Sequence, residues 1–84
     1  MKRLVLTHHA ALSMIERKLR MEWIEAAARR PDWSEPDPDD PEVERRYGAI
    51  AERDGRVLRA ACVQDGASIR LVPVFFDRKA RRRQ

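Results

Sequence analysis

Apolar and polar residues change their spacing several times along the chain, and each change marks an element. "RLVLT" (3–7) is a short apolar run that reads as a strand, with Thr7 placed to cap a helix starting at His8. From there Ala11, Leu12, Ile15 and Leu19 recur at three- and four-residue spacing, the mark of a helical stripe turned to a core. His9, Ser13, Glu16, Arg17 and Arg20 fall on a different, polar side. A second helical pattern, "MEWIEAAARR", offers Trp23, Ile24, Ala27 and Ala28 as its apolar face and ends at Pro31. "KLR" between the two patterns predicts a bend; with no Gly or Ser to mark it, one long helix also fits.

Past Pro31 the pattern stops. Residues 31–44, "PDWSEPDPDDPEVE", hold four prolines and little to bury except Trp33, which predicts an extended, mobile loop. The C-terminal half then reads as three strands, 45–53, 56–64 and 68–76, with Asp-Gly at 54–55 and 65–66 between them as hairpin signals. The predicted order is β-α-α-loop-β-β-β: an α+β domain whose two helices pack on one face of a four-stranded, mainly antiparallel sheet. It spans 1–78 and is followed by a basic tail at 79–84.

Charge alters this picture more than the net +4 suggests. Seven of the 14 acids (Asp32, Glu35, Asp37, Asp39, Asp40, Glu42 and Glu44) sit in the 31–44 segment, which has no base. The other 70 residues carry 18 basic against 7 acidic side chains, a balance of +11. Such a body attracts polyanions, of which RNA or DNA is the usual one, although a soluble surface with unevenly placed charges reads the same way. The acidic loop could fold over the basic surface as a nucleic-acid mimic.

Length and cysteine content set limits. Eighty-four residues make one small domain without a deep interlobe cleft. The lone Cys62 excludes an internal disulfide framework and reads, within "VLRAACV", as a buried apolar side chain. The apolar run after Met1 is too short for a signal peptide, and no stretch approaches a membrane span; the chain reads as cytoplasmic and soluble, with no membrane partner.

The adjacent His8 and His9 raise the question of a metal. In a helix they point about 100° apart, and no HxxxH spacing accompanies them, so no metal and no other cofactor is expected. His9 reads instead as structural, its ring bonded near the first strand, with His8 exposed.

RNA cleavage without metal needs a base for the 2′-hydroxyl, cations for the phosphate and a proton donor for the leaving oxygen. His9 or Glu16 supplies a base, Arg17, Arg59 and Arg70 supply cations, and Tyr47 an acid. A plain solvated helix face explains Glu16 and Arg17 equally well. Arg59 and Arg70 interrupt otherwise apolar strands. With a two-residue turn at 65–66, Arg59 faces Val72 and Ala61 faces Arg70, which makes the two arginines diagonal neighbours on the face away from the helices. Leu58, Ala60, Cys62, Ile69, Leu71 and Phe75 would then face the helices. Ion pairs to Glu52 or the acidic loop are the competing use of these arginines. Arg45, Arg46, Arg78, Lys79, Arg81, Arg82 and Arg83 are candidate RNA contacts, and Asp77 a turn cap and ion-pair partner.

The "THHA" start with "ER" eight residues on, "PDW", "GRVLRAACV" and the final "FFDRKARR" together resemble a small bacterial family of unknown function that neighbours the BrnT and RelE toxins of type II toxin–antitoxin systems. The likeness spans nearly the whole chain and rests on His9-Ala10, Arg17 and Asp77-Arg78. Two positions depart from it. Pro73 puts a bulge or an edge position into the last strand, and Lys18 stands where relatives often have Gly. The resemblance implies a RelE/BrnT-like fold and a toxin-type endoribonuclease acting on mRNA or on the ribosome, restrained by an antitoxin protein, with a homodimer among the possible assemblies. Its alternative is a non-catalytic domain binding RNA or a protein on the same face.

Overall fold

A computed structural model describes residues 2–80. The order is β1 (Arg3–Leu6), α1 (His8–Glu16), α2 (Met21–Arg29), β2 (Trp33–Pro36), β3 (Val43–Ile50), a 3-10 turn (Ala51–Arg53), β4 (Arg56–Asp65) and β5 (Ser68–Phe76). The strands form one sheet in the order β1-β5-β4-β3-β2, with β1 parallel to β5 and the other neighbours antiparallel. The α+β layout is as expected, but the sheet has five strands, not four. The extra one is β2, inside the segment read as a structureless loop.

Thr7 joins helix to sheet. Its hydroxyl accepts from the Ala10 amide at 3.2 Å and donates to the Val72 carbonyl at 3.2 Å. The cap thereby ties the start of α1 to β5 and sets the rotation of the helix. Ala10 is fully buried and Met14 packs on the core, whereas Leu12 is 41% and Ile15 70% exposed. The predicted stripe of Ala11, Leu12, Ile15 and Leu19 is therefore corrected: only Leu19 reaches the core, and it does so from beyond the helix end.

The bend at "KLR" closes α1 by backbone geometry. Lys18 adopts φ 55, its amide reaches the Ile15 carbonyl at 3.3 Å, and the Leu19 amide reaches that of Met14 at 2.9 Å. This is the Schellman arrangement, in which a left-handed residue usually filled by glycine reverses the chain. It accounts for a glycine preference at a position where this chain has Lys.

α2 lies across β3 and β4, burying Trp23, Ile24, Ala27 and Ala28 as the sequence predicts. Its approach depends on Gly48: a Cβ there would stand 3.3 Å from the Ala27 Cα and 3.4 Å from its Cβ. The core between helices and sheet includes Ile24, Leu58, Ala60, Cys62, Ile69, Leu71 and Val74. At one end Trp23 and Phe76 meet with centroids 6.3 Å apart, covered by Arg53 at 5.4 Å and Arg56 at 4.6 Å from the Phe76 ring.

Two registers differ from expectation. Asp65 pairs with Ser68, so the β4–β5 loop is Gly66-Ala67, with Gly66 (φ 57) in the first loop position where a II′ turn places glycine. Further up, Ala60 pairs with Val74 but Cys62 with Leu71, which leaves Val72 and Pro73 opposite Ala61. This bulge, expected from Pro73, shifts the alternation of β5. Val74 is buried and Phe76 packs on the core, so the expected inward Phe75 is corrected to the opposite face, where it pairs with Arg59.

Two substitutions test this account. Lys18→Gly relieves the left-handed strain and should raise stability by about 0.5–1 kcal/mol. Gly48→Ala should lower it by about 1–3 kcal/mol, because helix and strand backbones must separate. Thermal melts followed by circular dichroism measure both; an unchanged melting temperature for Gly48→Ala would show that α2 does not sit against β3 so closely.

Candidate nucleic-acid interface

The sheet face away from the helices carries a transverse row of cross-strand partners: Trp33 on β2, Tyr47 on β3, Arg59 on β4 and Phe75 on β5. Trp33 and Tyr47 stack with ring centroids 4.8 Å apart at 9°. The Arg59 guanidinium lies 4.3 Å from the Phe75 centroid and donates to Asp77 at 3.2 Å. Arg17, at the C-cap of α1, reaches around the β5 edge to 6.0 Å from the same ring. Two cations thus share one aromatic ring, an arrangement of favourable charge–quadrupole contacts. The Arg59 Nε is buried and has no hydrogen-bond partner among the described residues.

Acids from the 31–44 segment flank the row. The Tyr47 hydroxyl donates to Glu35 at 3.2 Å, and Arg45 pairs with Asp37 at 3.0 Å. Asp32 accepts from the Ala49 amide at 2.8 Å, and Asp37 also accepts from the amides of Asp39 at 2.8 Å and Asp40 at 3.2 Å. The segment is consequently an edge strand plus an Asp-capped turn, not the free loop expected from its prolines; alternation of Trp33, Glu35 and Asp37 toward one face was the signal for it. The Asp39 amide bond outweighs burial and, with Arg45, holds the Asp37 carboxyl below its ordinary range. Burial, reinforced by the charge of Glu35, pushes the Tyr47 phenol up despite the hydrogen bond from Arg45. The Tyr47 phenol therefore stays neutral at physiological pH.

The predicted site residues divide clearly. Arg17, Arg59 and Tyr47 come together along the row. Glu16 is exposed at the end of α1 and has no place in the contacts that define the row. Arg70 shares the face but pairs with Val63, while Arg59 pairs with Phe75, so the expected diagonal contact between the two arginines is corrected by the turn position and the bulge. Arg45 is on the face and already paired with Asp37. Arg46 points to the helix side, where it bonds Glu44 at 2.6 Å and the Ala28 carbonyl at 2.5 Å. Asp77 accepts from the Lys79 amide at 2.9 Å and pairs with Arg59; Arg78 and Lys79 are exposed beside it. Arg81, Arg82 and Arg83 lie outside the described residues. His9 and His8 are both exposed, and no hydrogen bond holds the His9 ring among the described residues. The anchoring expected of His9 is corrected, since Thr7 supplies it. Glu35, Trp33 and Phe75 are the residues that sequence reasoning left out of the site.

Among the described residues no three His, Cys, Asp or Glu side chains converge as metal ligands, and no helix is long and apolar enough to cross a membrane. Cys62 lies on the opposite side of the sheet, 1% exposed, and burial pushes its thiol up to about 11. That excludes it as a nucleophile near neutral pH.

Fold and face together define an α+β domain with an aromatic-lined open sheet surface on which arginines and acids are interleaved. The chain belongs to the family described as a domain of unknown function (DUF4258), whose pattern matches residues 6–76. No curated protein and no solved structure matches the chain.

The thiol gives a test of the buried side. Its folded value of about 11 exceeds the ordinary 9.0, so the associated stability is complete below pH 9 and is lost as pH rises through 11. Native protein at pH 8 should leave Cys62 unmodified by a thiol reagent and react stoichiometrically once unfolded. Rapid modification of the native form would contradict the packing of α2 on β4.

Proposed function

We propose that this protein acts on RNA through its open sheet face, as a metal-independent endoribonuclease of toxin type. What carries this reading is the continuous row Arg17–Phe75–Arg59–Tyr47 with Glu35 3.2 Å from the Tyr47 hydroxyl. It joins in one place the three kinds of group that phosphodiester transfer to a 2′-hydroxyl requires. Arg17 and Arg59 take the phosphate, which on Arg59 competes with Asp77 for the Nη1 end of the guanidinium. Glu35 replaces Glu16 as the candidate base, and Tyr47, held neutral, protonates the leaving oxygen. Phe75 and Trp33 provide rings beside the strand path. The resemblance to the neighbours of BrnT and RelE supports the same reading and points to an antitoxin protein as the natural restraint.

One observation favours a second reading, RNA binding without cleavage. Tyr47 is only 2% exposed, covered by Trp33 and Glu35.

Incubation of purified protein with single-stranded RNA in a chelating buffer separates the two. Cleavage should be retained without divalent ions and fall by about 10²-fold or more in Tyr47→Phe and Glu35→Gln, with melting temperatures near that of the parent. Arg17→Ala should weaken RNA affinity and reduce the salt dependence of binding. Binding with no cleavage establishes the second reading; no binding at low salt defeats both.

A further inference from the structure

On the helix side, at the far end of α2, four cations line one pocket of about 420 Å³: Lys2 before β1, Arg29 and Arg30 at the end of α2, and Arg46 on β3, with Ile69 of β5 also in its wall. Arg46 and Ile69 belong to the helix-facing register of their strands, so this pocket is separated by the sheet from the row of Arg59 and Tyr47. The two central guanidiniums are held in place by main chain. Arg29 donates to the Lys2 carbonyl at 2.7 Å, and Arg46 donates to the Ala28 carbonyl at 2.5 Å. Lys2 leans on the Gln64 side-chain carbonyl.

A carbonyl takes an N–H but neutralises no charge. Among the described residues the one carboxylate paired with any of the four is Glu44, on Arg46, and its side chain is 46% exposed. Arg46 meets Glu44 at 2.6 Å, as closely as Arg45 meets Asp37 and Arg59 meets Asp77, at 3.0 and 3.2 Å, so the unpaired cations of the pocket among the described residues are Lys2, Arg29 and Arg30. One carboxylate among four cations leaves the wall of this open pocket positive, and although Lys2 and Arg30 are exposed to water, the local field favours an anion. Arg29 is fixed by a carbonyl and Arg46 by a carbonyl and the Glu44 carboxylate, and each keeps further N–H groups for an acceptor. Ile69, 6% exposed, adds an apolar wall against which a sugar or base can rest.

We infer that this pocket is a binding site for a terminal phosphoryl group carried on a nucleoside, that is, a phosphate monoester of a nucleotide or of an RNA end. A monoester brings close to two negative charges to one point and three acceptor oxygens, against one charge for an internal phosphodiester. Three unpaired cations beside a fourth held by Glu44 match the former. The site stands independently of the open-face reading and uses none of its residues.

The test is calorimetric titration of the full chain with adenosine 5′-monophosphate, with adenosine as the phosphate-free control. Arg30 is exposed and has no ion-pair partner among the described residues, so Arg30→Glu reverses one charge at little structural cost. The monophosphate should bind with one-to-one stoichiometry, adenosine should not, and Arg30→Glu should weaken binding by tenfold or more with an unchanged melting temperature. Lys2→Ala should weaken it less. Arg59→Ala should bind the monophosphate as the parent does, and any RNA cleavage it loses then reports on the open face alone. Absence of binding at low salt, equal binding of adenosine, or affinity lost in Arg59→Ala but kept in Arg30→Glu would each overturn the assignment.

Discussion

The bulge at Val72 and Pro73 is the constraint on which the two faces of the sheet depend. Before it, β5 sends Ile69 and Leu71 to the core; after it, Val74 and Phe76 take that role, and Phe75 turns outward onto Arg59. An unbulged β5 would put Phe75 in the core and Val74 on the open face, and Arg59 would lose its aromatic partner. The bulge falls where β1 ends, since Leu6 pairs with Leu71 and Thr7 bonds the Leu71 and Val72 main chain. A proline without a ladder amide is accommodated there because no strand lies beside it on that side. The same point of β5 anchors the cap of α1, so helix rotation, strand phase and the Arg17–Phe75 contact share one origin.

Charge placement follows a second logic. The basic excess that composition reveals is not spread evenly over the surface. On the open face Arg45 and Arg59 are matched by Asp37 and Asp77, and the acidic segment contributes directly to that match through Asp37, which follows β2. Such pairs are worth little as stability when solvated, yet they fix guanidinium orientation and set a threshold that an incoming anion must exceed. On the helix side the matching thins: Arg46 keeps Glu44, while Arg29 is oriented by the Lys2 carbonyl alone.

Much of the architecture could be read from the chain. Thr7 as a cap, the α2 face and the three C-terminal strands came from local pattern, because each is determined by residues close in sequence. The rotation of α1 did not, since a nine-residue helix containing Ala, Leu, Met and Ile in several directions has more than one apolar stripe, and the choice is made by a hydroxyl bonding to β5. The β2 strand was hidden by its prolines; its partner β3 supplies the ladder that its own composition does not advertise. Arg17, Arg59 and Tyr47 were identifiable by residue type, but Glu35 entered the site only through pairing of strands across a turn. The misplacement of Arg70 came from a two-position error in the β4–β5 pairing, which carries a side chain about 7 Å along the neighbouring strand.

The sheet's outer strands carry a further consequence, for behaviour in crowded solution. Among the described residues β1 and β2 each have one side without a hydrogen-bonded neighbour, and such borders invite other chains to add on. Each is only four residues long. β2 ends in Pro36, which offers no N–H, and is followed by a dense run of carboxylates that repels the same border of another copy. β1 begins with Arg3 beside Lys2, so its border likewise repels its own kind. A head-to-tail join of the basic border to the acidic one remains electrostatically open, but shortness and proline leave it few rungs to build on. The prolines and acids that obscure β2 in the sequence thus serve as a fender, keeping a five-stranded sheet from growing a sixth strand out of its neighbour.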